Sequence, residues 1–199
     1  MLQHFVSLNN FLLILTAYLL GSIPFGLILS KIFGIGDIRK AGSGNIGATN
    51  MLRVGGKKLA LFTLIGDMGK GILASYIGAK YSNDAHMVFV TSSIAAIGHI
   101  FPIWLKFKGG KGVATSLAIL VYCDFKVGMI ALGCWAIVFL ISRKSSLSSI
   151  ITFLLAPFFA FYFGSKWLFY MILVISILVI IRHYNNIVRL INRSEKSFF

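Results

Sequence analysis

The chain has 199 residues, 58% of them hydrophobic and only 12% charged, with a mean hydropathy of +0.89. A soluble domain carries about 25% charged and about 45–50% apolar residues, so this balance excludes a disordered chain and a soluble single domain and indicates a membrane protein. The net charge of +14 comes from 19 Lys and Arg against five Asp and Glu, and it lies mostly in short gaps between apolar runs, so it is a topology signal and not a nucleic-acid-binding face.

A spanning helix needs about 20 largely apolar residues. Candidate spans occur at 11–30, 59–79, 87–105, 113–122, 127–142, 147–163 and 167–181. No Lys or Arg precedes Lys31, so the first run lacks the basic region of a cleaved signal and reads as a permanent span. The run 113–122 covers about half the hydrocarbon core at ~1.5 Å per residue, and reads as a short span or a re-entrant helix. Cys123-Asp124-Phe125-Lys126 separates it from the next run. Alternate gaps place fifteen cations on one side and three on the other, with Lys70 inside a span. With seven spans the N-terminus is outside and the C-terminus cytoplasmic. The expected fold is all-α: a polytopic membrane bundle of about seven transmembrane helices, some short, forming one domain over 1–199. Cys123 and Cys134 read as small core side chains, and no residue spacing suggests a metal site, so no metal or other cofactor is expected.

Three cytoplasmic segments are richer than plain connectors. The first runs from Arg39 to Arg53 and contains Gly42, Gly44 and Gly47 in GxGxxG spacing. The dinucleotide-binding reading requires a preceding strand, and here an apolar helix precedes. The physics of the loop survives: glycines expose backbone N–H groups that can nest an anion. Ser43, Asn45, Thr49 and Asn50 add short hydrogen-bonding side chains, and Arg39, Lys40 and Arg53 add positive charge. The plain alternative is a connector with turn glycines.

The second segment places Gly109-Gly110-Lys111-Gly112 immediately before an apolar helix. A helix N-terminus attracts anions, and Lys111 brings a cation into a glycine cradle. Lys106 and Lys108 read as positive-inside charge, and His99 as either a packed structural residue or a site member. In the third segment the spacing predicts one helix face for His183, Asn186 and Arg189 or Leu190, at i, i+3 and i+6 or i+7. The alternative there is a basic amphipathic tail on anionic lipid. Asp67 and Lys70, at i, i+3 inside the second span, read as a structural ion pair. The serines Ser145, Ser146, Ser148 and Ser149 either cap the sixth span or line a polar pocket. Together these segments imply a phosphorylated small molecule and a lipid or acyl chain as ligands.

Several of these motifs carry a family resemblance. Ala41-Gly-Ser-Gly-Asn-Ile-Gly-Ala-Thr-Asn50, Gly98-His-Ile-Phe-Pro102, Phe107-Lys-Gly-Gly-Lys-Gly-Val-Ala-Thr115 and His183 with Asn186-Ile187 and Arg189-Leu190 resemble the bacterial acyl-phosphate-dependent glycerol-3-phosphate acyltransferases. The resemblance extends from about residue 18 to 195, with Tyr184 and Arg193 standing where many relatives carry Arg and Gly. It implies transfer of a fatty acyl group from acyl phosphate to the 1-hydroxyl of glycerol 3-phosphate, giving lysophosphatidic acid and phosphate. It also implies an enzyme of the bacterial inner membrane, in contact with membrane lipid, whose active site faces the cytoplasm. The HxxxxD motif of the other acyltransferase class is absent: none of the four histidines has Asp five residues later.

An acyl phosphate is a mixed anhydride with a good leaving group, so the task is to hold two phosphates and stabilise developing negative charge. The expected catalytic residues are Ser43, Lys111, His183 and Asn186. Ser43, Asn45, Thr49 and Arg53, with the N–H groups of Gly44 and Gly47, are assigned to one phosphate. Lys111 with Gly109, Gly110 and Gly112 is assigned to the other, and Asn50 and Arg189 add phosphate contacts. His183 and Asn186 orient the attacking hydroxyl or a phosphate, and the proton goes to His183 or to the departing phosphate. His99, Ser146 and Ser149 line the pocket. The competing reading is a transporter of a phosphorylated metabolite, which would favour helices broken at mid-bilayer in paired repeats. A lipid-surface scaffold would not need the glycine cradles.

Overall fold

A computed structural model of the chain describes residues 7–197. The two termini, whose sidedness the charges predict, lie outside the described residues. Among the described residues there are nine α-helices and no strand: α1 Leu8–Ser22, α2 Phe25–Ile32, α3 Ala48–Tyr81, α4 Met87–Ile100, α5 Val113–Cys123, α6 Phe125–Ser142, α7 Ser145–Phe163, α8 Lys166–Arg182 and α9 Tyr184–Ile191. Each candidate span of the sequence is helical over most of its length. Four helices are long and apolar enough to cross a bilayer, and the bent pairs α1–α2 and α8–α9 bring the number to six. The apolar α5, with 11 residues, is shorter than a full crossing.

Two breaks have local causes. Pro24 lacks an N–H and disfavours helical backbone at Ile23, so the first run bends by 45° between α1 and α2. Gly56, at φ 80° and ψ 179°, interrupts α3. The polar stretch Ala48–Gly55, read as part of a connector, is therefore the opening of a helix on which Thr49, Asn50 and Arg53 ride. Asp124 starts α6 by accepting a hydrogen bond from the Val127 N–H at 3.0 Å, which produces the separation expected at 123–126.

The chain divides into two compact units, one ending at Ile119 and one beginning at Leu120. In the first, α1 packs on α4 and α3, α2 packs on α3, and α3 packs on α4. Ala17, Ala74 and Ala95 are buried together, and a Cβ at Gly21 would overlap the Ala95 backbone, so small residues set the close approach of α1 to α4. In the second unit α7 packs on α6 and α8, and α9 on α8. The outward faces carry large exposed apolar side chains, such as Phe62, Ile141 and Phe161, which suits a lipid environment.

Candidate active site

The first glycine loop is held by Asn50. Its Oδ1 accepts from the Ser43 N–H at 2.7 Å, and its Nδ2 lies 2.8–3.1 Å from the carbonyls of Ile38, Ala41 and Asn45. Gly42 and Gly44 adopt positive φ of 62° and 72°, and a methyl at Gly42 would collide with the Asn50 amide. Glycine at these positions lets the loop wrap tightly around one buried side chain. Ser43 and Gly44 are exposed at the tip, Asn45 and Thr49 are half-buried, and Arg53 is exposed. Gly47 is the N-cap residue of α3. Arg39 is paired with Asp37 at 2.6 Å; the Arg39 guanidinium, helped by its backbone N–H, holds the Asp37 carboxyl down at about 2.

The second glycine loop lies against the end of α4. The Gly109 N–H donates to the Ile100 carbonyl at 3.1 Å and the Gly110 N–H to the His99 carbonyl at 3.0 Å. A methyl at Gly110 would overlap the His99 ring, so only glycine allows this approach. Gly112 has φ 86°, and half-buried Lys111 sits between it and Gly110, directly ahead of α5. Within this unit the two loops share a core: Ile38, Ile46 and Met51 are buried together, and Leu105 of the second segment packs against them.

His99 is not isolated. Its Nδ1 lies 3.5 Å from Asp67 Oδ1, and Lys70 Nζ lies 2.9 Å from the same oxygen, so the Asp67–Lys70 pair expected from i, i+3 spacing is present and extends to His99.

In the second unit Glu195 gathers three of the expected site residues. Its Oε1 accepts from Ser146 Oγ and from Asn186 Nδ2, both at 2.6 Å, and its Oε2 accepts from Arg189 Nε at 2.6 Å. Burial pushes the Glu195 carboxyl up, and the hydrogen bonds from Ser146, Arg189 and Asn186 more than reverse this, leaving it below its ordinary value of 4.5. His183, at the 57° corner between α8 and α9, is 1% exposed. Its Nδ1 is 2.8 Å from the Val179 carbonyl, which can only accept, so Nδ1 carries a proton. His183 and Asn186 are buried while Tyr184 and Ile191 are exposed; Arg189, the third member of the expected face, is 42% exposed, and His183 is the N-cap of α9. Ser149 accepts from Trp135 Nε1 at 3.1 Å and donates to the Ser145 carbonyl. Ser148 and Ser149 bond backward to the Lys144 and Ser145 carbonyls, and the N-cap of α7 is Lys144, with no side-chain bond.

Asn50, expected to contact phosphate, is instead fully buried with its amide committed to its own loop; that role, the link from Asp67 to His99, and Glu195 were not singled out from the sequence. The scarcity of carboxylates is the signal that could have found two of them. All five accept hydrogen bonds or ion pairs from named donors, as Asp84 does from the His86 N–H and Asp124 from Val127.

The fold is thus that of a multi-pass helical membrane protein with two glycine-rich loops, one carrying a lysine at a helix start, where an anionic group can be held. A family model described as glycerol-3-phosphate acyltransferase matches residues 11–193. Glycerol-3-phosphate acyltransferases from Ehrlichia canis and from the Wolbachia pipientis of Culex pipiens are 48% and 42% identical to the chain; the alignments cover 93% and 96% of this chain and 96% and 100% of the relatives. The fold is similar to the crystal structure of PlsY (YgiH), an integral membrane glycerol 3-phosphate acyltransferase, in its glycerol 3-phosphate form, with a TM-score of 0.89, 37% identity and 95% of each chain covered. The lysophosphatidic acid form of PlsY matches with a TM-score of 0.86, 36% identity and 94% coverage of each chain. The chain belongs to the glycerol-3-phosphate acyltransferase family, as the sequence motifs implied.

Proposed function

We propose that the chain transfers a fatty acyl group from acyl phosphate to the 1-hydroxyl of glycerol 3-phosphate, releasing lysophosphatidic acid and phosphate, at the cytoplasmic face of a bacterial inner membrane. The observation that supports this most is the likeness to PlsY in both a glycerol 3-phosphate and a lysophosphatidic acid form, which are acceptor and product of one acyl transfer. The hydroxyl oxygen attacks the acyl carbonyl carbon, the bond from that carbon to the phosphate oxygen breaks, and phosphate departs. The hydroxyl proton passes to His183 Nε2 or to the departing phosphate. His183 suits the first route because its Nδ1 proton is committed to Val179.

Ser43, Asn45, Thr49, Arg53 and the N–H groups of Gly44 and Gly47 take one phosphate; Lys111 and the glycines 109, 110 and 112 take the other. Asn50 supports this by shaping the first loop. In the second unit, Asn186 and Ser146 are fixed by Glu195, and the Arg189 charge is paired with the same carboxylate, so these residues act from a rigid frame. The whole chain works as a single domain with its N-terminus outside and its C-terminus cytoplasmic, in keeping with the cation distribution. The deciding assay supplies purified protein with acyl phosphate and glycerol 3-phosphate. Lysophosphatidic acid and phosphate are expected in equal amounts. Absence of both, with glycerol 3-phosphate instead entering sealed vesicles, overturns the enzyme reading in favour of a transporter.

A further inference from the structure

An ion pair inside a membrane span is expensive, and a bundle needs none to fold, so its presence calls for a reason. Asp67 and Lys70 lie on α3 with side chains only 4% and 2% exposed. Each reaches beyond the other. Lys70 Nζ donates to the Ile23 carbonyl at 2.7 Å, at the break ahead of α2. Two residues into α2, Gly26 sits so close to the Ile46 carbonyl of the first glycine loop that no Cβ would fit.

Asp67 holds both flanks of the second glycine loop. Its carboxylate faces His99 Nδ1, and the other edge of that ring, at Nε2, lies under Gly110. Its backbone carbonyl accepts from Thr115 Oγ1 at 2.9 Å, three residues past Gly112. The segment Gly110–Gly112, with Lys111 at its centre, thus lies between His99, whose Nδ1 faces the Asp67 carboxylate at 3.5 Å, and Thr115, which is hydrogen-bonded to the Asp67 carbonyl.

We propose that Asp67, Lys70 and His99 are positioning residues for acyl transfer, acting through the 109–112 loop to hold Lys111 and its neighbouring N–H groups where a substrate phosphate binds. This rests on the acyltransferase function proposed above and adds residues to it. The aspartate orients the imidazole, the imidazole sets the height of Gly110, and the lysine pairs with the aspartate inside the span while anchoring the α1–α2 break. A role confined to holding the bundle together would lower stability without depending on Lys111. A positioning role makes the effects of Asp67 and Lys111 overlap.

The test uses the purified full-length enzyme with acyl phosphate and glycerol 3-phosphate. Misplacing a binding group by about 1 Å can cost roughly a hundredfold. Asp67→Asn, which keeps the shape and removes the charge, is expected to lower kcat/KM about ten- to hundredfold. Lys111→Met is expected to lower it at least as much, and the double variant to fall little below the worse single variant. Multiplying losses, or an Asp67→Asn enzyme as active as the unaltered one, would overturn the proposal alone. An inactive unaltered chain, or full activity in Lys111→Met, would overturn the underlying reading and this with it.

If Asp67→Asn does not fold, a second pair decides. Gly110→Ala drives a methyl into the His99 ring and is expected to lose activity. His99→Asn keeps a donor toward Asp67 and vacates the ring edge, so combining it with Gly110→Ala should restore about tenfold of the loss. No restoration means that His99 does not set the loop.

Discussion

The Ser146 hydroxyl, in the first turn of α7, donates to Glu195 Oε1 at 2.6 Å, closing the segment after α9 back onto α7. The same oxygen accepts from Asn186, so two residues expected near substrate are oriented by one carboxylate. Hydrogen bonds to a charged group contribute about 1.5–3 kcal/mol each, and the Arg189 side chain is 42% exposed, so its ion pair adds at most about 1 kcal/mol.

Glu195→Gln should therefore lower the melting temperature of the purified enzyme by about 5–10 °C and reduce activity by loosening Asn186. The Glu195 carboxyl lies below its ordinary 4.5 in the folded state, so its contribution is present above pH 4.5 and is lost as pH falls through the folded value. Melting curves from pH 7 down to pH 3 should show the gap between the two proteins closing below 4.5. A gap that stays constant over this range would mean that shape and not charge holds the segment.

A comparison of Lys111 with Lys106 tests site chemistry against topology charge. Lys106 is exposed, whereas Lys111 is half-buried between two glycines. Under the proposed role as a phosphate ligand, Lys111→Met should reduce kcat/KM about a hundredfold or more. Lys106→Met should cost little, since an exposed charge contributes about 0–1 kcal/mol. Equal activities in proteins of equal yield and melting temperature would return Lys111 to the topology signal.

Asn50 tests the frame of the first loop. Asn50→Asp preserves size and the acceptor for the Ser43 N–H, but sets a carboxylate oxygen against the carbonyls of Ile38, Ala41 and Asn45. Leaving buried carbonyls without donors costs about 1–3 kcal/mol per group. Activity should fall at least tenfold and protease should cut the loop around Ser43 more readily. Normal activity and protection in the Asn50→Asp variant would show that the loop holds itself.

Sidedness can be read by labelling. Single cysteines replacing Ala41, Lys108 and Asn192 should react with impermeant reagents from the cytoplasmic side, and those replacing Asn83 and Ser165 from outside. Reaction of Ala41 and Asn192 positions from opposite sides would exclude the proposed topology.

Local chemistry determined much of this protein in one dimension. Seven apolar runs announced helices because a bilayer leaves the backbone no other way to satisfy its hydrogen bonds. Glycines 42, 44, 109, 110 and 112 announced tight loops because their positions relative to Ser43 and Lys111 are a matter of neighbours along the chain. Asp67 and Lys70 were readable as a pair because three residues make nearly one helical turn.

Tertiary structure alone decided where the remaining polar groups point. Asp67 meets His99 and Thr115 across 32 and 48 residues. Glu195 meets Ser146 across 49. No periodicity encodes such distances, and a short polar side chain such as Asn50 has the same hydrogen-bonding capacity whether it faces a ligand or its own loop. The choice is made by burial: once helices pack, each polar group removed from water must find a partner within about 3 Å, and the partner is whichever residue the crossing of helices brings there.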